Sequence, residues 1–95
     1  MAEVEMYIKG WCPYCVRASK LLTDKGISYR EYEVSNDPQR FQEMLNRSGG
    51  RMTVPQIFIG DTHIGGSDDL AAAERSGRLD ELLAAAGRGA AKHRG

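Results

Sequence analysis

The sequence has no excess of charge and almost no cysteine. Thirteen basic residues balance thirteen acidic ones, so a general nucleic-acid or membrane-surface role has no electrostatic support. Cysteine occurs only at Cys12 and Cys15, too few and too close together for a disulfide framework. No apolar run approaches the roughly 18 residues of a membrane helix. Met1 to Lys9 includes Glu3 and Glu5 and lacks a basic start or apolar core, so no secretory leader is expected. A tetrahedral zinc site wants four ligands, and besides the two cysteines the chain offers only His63 and His93. No metal is therefore expected. These absences fit a soluble protein of a reducing compartment, where a cysteine pair is catalytic. A chain of this size buries about 60–70% of its unfolded surface, enough for a core without staples.

What is present is organised around Trp11-Cys12-Pro13-Tyr14-Cys15. The motif stands between a strand-like and a helix-like stretch. If the helix starts at Pro13, whose fixed φ suits the first helical position, Cys12 is its N-cap. Free N–H groups and the positive end of the helix dipole then face the Cys12 sulfur. That setting lowers a thiol pKa to about 3.5–7.5, against about 8.5 for a free cysteine. Cys15 is near enough to close a disulfide with Cys12. The spacing reads as a redox device, with one thiolate to attack and a second thiol to resolve.

The chain in order supports an α/β fold. Val4, Met6 and Ile8 alternate with Glu3, Glu5 and Tyr7, which predicts a strand with one apolar face. A helix is predicted from Pro13 to about Lys25, with Cys15, Val16, Ala18, Leu21 and Leu22 at helical spacing and Gly26 as its stop. A strand from Ser28 to about Val34 follows. Asp37 then caps a helix that begins at Pro38, with Phe41, Met44 and Leu45 as its stripe. A strand–helix–strand crossover implies parallel strands with the helix packed on the sheet. Met52 to Ile59 reads as another strand, with Pro55 confined to an edge or a strand start. Gly60-Asp61 turns it into Thr62-His63-Ile64. Ser67 and Asp68 are expected to cap a helix from Asp69 to about Ser76, and a short helix is expected from Leu79 to Ala85. His63 is read as a strand residue with no chemistry.

The basic charge is concentrated at the end. Arg88, Lys92 and Arg94 stand against no acid from Arg88 to Gly95, which leaves a net −3 on residues 1–87. Residues 87–95 carry no aliphatic side chain larger than alanine and are expected to be a loose basic tail on a domain spanning 1–86.

Other blocks have a modest reading when taken alone. Val54-Pro55 is a proline that begins a strand. Gly65-Gly66-Ser67-Asp68-Asp69 is a helix cap, although free N–H groups at a helix start suit a carboxylate and an Asp carboxylate suits an ammonium. Lys9 is a solvated strand-end lysine. Trp11 could cover a ligand or pack.

Taken together, Cys12-Pro13-Tyr14-Cys15, Thr53-Val54-Pro55 and Gly65-Gly66-Ser67-Asp68-Asp69 resemble the signature blocks of dithiol glutaredoxins, in order and at similar spacing. The small bacterial members are the most similar. The resemblance covers residues 3 to about 85. The glycine pair Gly49-Gly50, Ser67 where relatives often carry cysteine, and the basic tail depart from the pattern.

The resemblance implies a thioredoxin fold, a four-stranded mixed sheet flanked by helices. It implies a glutathione-dependent thiol–disulfide oxidoreductase that reduces protein disulfides and protein–glutathione mixed disulfides and serves cell redox homeostasis. Cys12 and Cys15 would be catalytic. Lys9, Tyr14, Thr53, Val54, Pro55, Gly66, Asp68 and Asp69 would bind glutathione, with Arg40 or Gln42 assisting. Val54-Pro55 would be cis and would offer the Val54 backbone to the tripeptide as an added strand does. Gly66, Asp68 and Asp69 would take its γ-glutamyl end. Lys9 would take its glycine carboxylate and help hold the Cys12 thiolate. Glutathione would be a co-substrate, with no tightly bound cofactor. The expected partners are glutathione and disulfide-bearing or glutathionylated proteins, with no nucleic acid and no membrane. The expected state is a cytoplasmic monomer. Two other readings stay open: a redoxin served by thioredoxin reductase, and a glutaredoxin that bridges an iron–sulfur cluster. The clamp residues disfavour the first, and Pro13 after the nucleophile disfavours the second.

Overall fold

The computed structural model describes residues 3–85, so the expected tail at 87–95 lies outside the described residues. Strand β1 (Val4–Ile8) leads into helix α1 (Pro13–Asp24), strand β2 (Arg30–Glu33) and helix α2 (Pro38–Ser48). Strands β3 (Gln56–Ile59) and β4 (Thr62–Gly65) form a hairpin, and helix α3 (Ser67–Ser76) follows. Residues 78–85 form a last helix, α4. The sheet order is β2-β1-β3-β4. β1 and β2 are parallel, with Tyr7 opposite Tyr32. β1 and β3 are antiparallel, with Tyr7 opposite Gln56. β3 and β4 are antiparallel with an irregularity between Ile57 and Phe58. This is the mixed four-stranded sheet flanked by helices that the sequence predicts. Among the described residues no helix is long and apolar enough to cross a membrane.

Two cores hold the layers together. On one face Val4, Met6, Ile57, Ile59 and Ile64 pack against Ala18 and Leu22 of α1, Leu70 and Ala73 of α3, and Leu79 of α4. On the other face Tyr7, Phe58 and Val34 pack against Met44 of α2, with Tyr32, Phe41 and Val54 at the margin. The strand alternation predicts the first core. It misses the second, because Tyr7 alternates with Glu3 and Glu5 and so reads as facing solvent. Tyr7 is in fact fully buried, and its hydroxyl donates to Glu43 of α2. Arg47 ties the same region together. It donates to the Tyr7 hydroxyl at 2.8 Å, pairs with Glu5 at 2.9 Å, and lies 4.1 Å from the Phe58 ring centroid. The glutamate of the supposed polar face is therefore part of the seal over a second core.

Three local expectations change. Val16 sits in the helical apolar pattern but is 52% exposed, because the covered stripe of α1 is Cys15, Ala18 and Leu22. The strand predicted from Met52 begins only at Gln56, and Met52 is exposed. Helix α3 begins at Ser67 rather than Asp69, with Gly66 in the N-cap position. Ser67 and Asp68 are good capping residues by type. The cap is instead completed from within, by the Asp69 carboxylate accepting from the Gly66 N–H at 3.0 Å.

Candidate active site

Cys12 ends the loop after β1 in extended geometry, φ −143° and ψ 122°, as the N-cap of α1. Its carbonyl accepts the first helical bond, from Val16 N at 2.9 Å. Pro13 fills the first turn, and no acidic side chain stands there to oppose a negative sulfur. The approach loop is fixed from β2, where the Glu33 carboxylate takes the Gly10 N–H.

The two thiols differ in burial and in acidity. Both are free; Cys12 is partly exposed and Cys15 is buried. Desolvation pushes the Cys12 thiol up, but the Cys15 backbone N–H, the Cys15 thiol and the Tyr14 backbone N–H outweigh it, and the net direction is down. Burial pushes the Cys15 thiol up to about 12, and the Cys12 sulfur adds to that rise. The exposed sulfur is thus the more easily ionised one, and the buried one keeps its proton to donate to it. A thiolate next to a protonated neighbour suits nucleophilic attack followed by a second thiol step.

A groove of about 180 Å³ is lined by Tyr14, two residues after Cys12, and by Arg51, Thr53, Val54, Pro55, Gly66, Ser67, Asp68 and Asp69. Long-range topology brings these together: Tyr14 from the first turn of α1, the segment before β3, and the start of α3. Tyr14 is half exposed, with the Arg17 guanidinium 5.6 Å from its ring centroid. The Val54–Pro55 peptide is cis. Gly65 has φ +118°, and a Cβ there would stand 2.8 Å from the Asp69 Cγ. Only glycine allows the chain to turn so close to the carboxylate that caps α3. The partner glycine is less constrained, since a Cβ on Gly66 would meet the Pro55 carbonyl at 3.5 Å, an ordinary contact.

Seven of the residues predicted to bind glutathione line this groove: Tyr14, Thr53, Val54, Pro55, Gly66, Asp68 and Asp69. Lys9 does not join them. Its ammonium lies 5.1 Å from the Phe41 ring centroid, in a separate depression with Val34, Ser35 and Pro38. The groups that lower the Cys12 thiol are those of Cys15 and Tyr14, donors of the motif itself. The two proposed assistants are engaged within α2 and β2. Arg40 pairs with Glu43 at 3.0 Å and covers the Tyr32 ring at 3.9 Å, and Gln42 donates to Asn46.

Arg51 is the groove residue that sequence reasoning misses. It stands 3.8 Å from the Asp69 carboxylate. Its only signal is a lone cation two residues before Thr53, in a stretch that otherwise reads as a loop. A wider cleft of about 500 Å³ includes Ile8, Trp11, Cys12, Cys15, Val16 and Glu31. Trp11 is 81% exposed, so it belongs to the surface around the sulfur rather than to a core.

The family model described as glutaredoxin matches residues 4–64. Glutaredoxin 3 of Escherichia coli is 53% identical over 83 residues, covering 87% of this chain and 99% of that protein. The solution structure of a glutaredoxin from Brucella melitensis is 51% identical, with a TM-score of 0.73 over 85% of this chain and 87% of that one. The crystal structure of a buckwheat glutaredoxin–glutathione complex is 34% identical, with a TM-score of 0.76 over 88% of this chain and 78% of that one.

Proposed function

This chain belongs to the glutaredoxin family, and on that footing we propose that it is a glutathione-dependent thiol–disulfide oxidoreductase acting through Cys12 and Cys15. The observation that carries the proposal is the asymmetry of the two thiols in the motif that gives Tyr14 to the groove. Cys12 is partly exposed and lowered at the start of α1, while Cys15 is buried and raised behind it. The related structure that holds glutathione supports the choice of co-substrate.

The groove has the chemistry for the tripeptide. The N–H groups at the start of α3 suit the γ-glutamyl carboxylate, and Asp68 suits its ammonium. The backbone of Val54 suits pairing with the cysteinyl unit. Arg51 adds a cation in the same groove. Lys9 stays a candidate for the glycine carboxylate if it leaves Phe41.

For a glutathionylated protein, the Cys12 thiolate attacks the glutathione sulfur. The protein–glutathione S–S bond breaks, and the protein leaves as a thiolate that takes a proton. The Cys12–glutathione disulfide is then attacked by a second glutathione thiolate, which releases glutathione disulfide and restores the Cys12 thiolate. A low pKa favours leaving as well as ionisation, so the lowered thiol serves both halves of the cycle. For a protein disulfide, Cys12 attacks and Cys15 loses its proton to resolve the mixed disulfide, leaving a Cys12–Cys15 bond for two glutathiones to reduce. The wider cleft by Trp11 and Val16 offers room for the protein substrate. We place this cycle in a reducing, cytoplasmic setting.

The test is a pair of variants. Cys15→Ser keeps reduction of a small glutathione mixed disulfide and loses reduction of a protein disulfide. Cys12→Ser loses both. A Cys12→Ser protein that still turns over the mixed disulfide contradicts the assignment.

A further inference from the structure

We infer that Gln56, backed by His63, is a positioning residue for the groove: it fixes the Thr53–Val54 peptide so that the Val54 N–H faces the ligand. The inference rests on the glutathione reading above.

Gln56 opens β3 and is fully buried. A buried primary amide must find partners for its donors and its acceptor. Its Nε2 donates to the Thr53 carbonyl at 2.9 Å and to the Thr53 hydroxyl at 3.2 Å. Its Oε1 lies 2.7 Å from Nε2 of His63. The orientation of the amide follows from these partners. A carbonyl only accepts, so the amide nitrogen faces Thr53 and the amide oxygen faces His63, whose Nε2 therefore carries the hydrogen. His63 is itself held flat against Phe58, with ring centroids 4.7 Å apart and an interplanar angle of 23°. Phe58 is part of the second core. The chain of support therefore runs from the core through His63 and Gln56 to Thr53.

What this does to the groove follows from the planar peptide. Among the described residues only the Val54–Pro55 bond is cis, so the Thr53–Val54 bond is trans. In a trans peptide the C=O of one residue and the N–H of the next point in opposite directions. The Thr53 oxygen is drawn in to the buried Gln56 amide, so the Val54 N–H is turned away from it. Among the described residues nothing accepts from that N–H, and Thr53, Val54 and Pro55 all line the groove. The donor is held out, ready for a carbonyl of an extended ligand. Were the amide released, the Thr53–Val54 plane would be free to rotate, and the ligand would have to order it on binding. Gln56 does not touch the ligand and acts only through this peptide. His63 donates from Nε2 in its neutral tautomer and in its protonated form alike, so the support holds through its titration.

The experiment compares the wild type with Gln56→Met, which keeps the length and loses the amide, and His63→Phe, which keeps the stacking and loses the donor. Turnover of a small glutathione mixed disulfide is measured with glutathione and its reductase. Gln56→Met is expected to raise KM about five- to tenfold, the loss of roughly one hydrogen bond, with kcat within about twofold. His63→Phe is expected to raise it about two- to threefold. In the Cys15→Ser background, the Val54 amide resonance should shift on forming the glutathione mixed disulfide, and this shift should be lost with Gln56→Met. An active wild type with unchanged KM in both variants and an intact Val54 shift overturns this inference alone. If Gln56→Met does not fold, His63→Phe decides: an unchanged KM overturns it and a raised KM supports it. A wild type inactive with glutathione overturns the proposed function and this inference with it.

Discussion

At the scale of single residues, the site depends on which sulfur ionises first. The lowering at Cys12 arises from backbone N–H groups and the Cys15 thiol working against desolvation. Alkylation by iodoacetamide as a function of pH should therefore show a midpoint below the roughly 8.5 of a free thiol. Cys15→Ala removes one of the donors, the thiol, and leaves the backbone ones. Its midpoint should move upward and stay below that of a free cysteine. The sign for stability follows from the same direction. A group whose folded pKa is depressed contributes stability above its unfolded pKa, about 8.5 here, and loses it as pH falls through the folded value. The reduced protein should thus gain stability from Cys12 at alkaline pH, and Cys12→Ala should lack that gain in denaturant titrations at pH 6 and pH 9.

Arg51 belongs to the same scale. It shares the groove with Asp68 and Asp69 and is half exposed, so screening limits what its pair with Asp69 contributes to folding. Its value lies in a ligand with carboxylates. Arg51→Ala should raise the KM for glutathione about three- to tenfold and leave the melting temperature nearly unchanged. An unchanged KM would remove Arg51 from the binding surface.

At the scale of elements, the start of α3 is the most demanding junction. Gly65 turns at φ +118° against the Asp69 carboxylate that caps the helix. Gly65→Ala forces a strained backbone and a clash together, so it should cost about 1–3 kcal/mol in denaturant unfolding and weaken glutathione binding. The elements also show what was legible in the chain. The Cys12 N-cap and the Pro13 start of α1 were readable because both depend on neighbours within one turn. The same holds for Asp37, whose carboxylate accepts from Arg40 N at 3.1 Å, and for Pro38 after it. The meeting of Tyr14, the Thr53–Pro55 segment and the start of α3 was not readable from local pattern. Those residues are far apart in the chain, and only the family resemblance joined them. Gly66 at the cap was missed because side-chain type favours Ser67 and Asp68, whereas the cap is supplied from Asp69. The resemblance assigns Lys9 to the ligand, and its ammonium lies over the Phe41 ring of α2.

At the scale of the whole molecule, both faces of the sheet are covered, and the two cores differ in kind. The face toward α1, α3 and α4 is aliphatic, with Leu22 and Leu70 fully buried. Leu22→Ala should cost about 2–5 kcal/mol, read as a lower midpoint in urea. The face toward α2 is aromatic and closed by a polar network in which Tyr7 meets both Glu43 and Arg47. Tyr7→Phe leaves those two charged groups without their shared partner and should cost about 1–3 kcal/mol. This face was hard to read because its buried members alternate with charged residues that pair across it, as Glu5 does with Arg47. The two cores together hold β1 and β3 in place, and the ends of these strands carry Cys12 and the Thr53–Pro55 segment to the same edge.

The proposed role of the thiol asymmetry is glutathione chemistry. The most direct measurement is turnover of a small glutathione mixed disulfide, supplied with glutathione and glutathione reductase, and separately with thioredoxin reductase alone. Turnover with the glutathione system, retained by Cys15→Ser and absent from Cys12→Ser, is the predicted result. Turnover with thioredoxin reductase alone would contradict it, and would leave the groove of Tyr14, Val54 and Asp68 as a surface without that ligand.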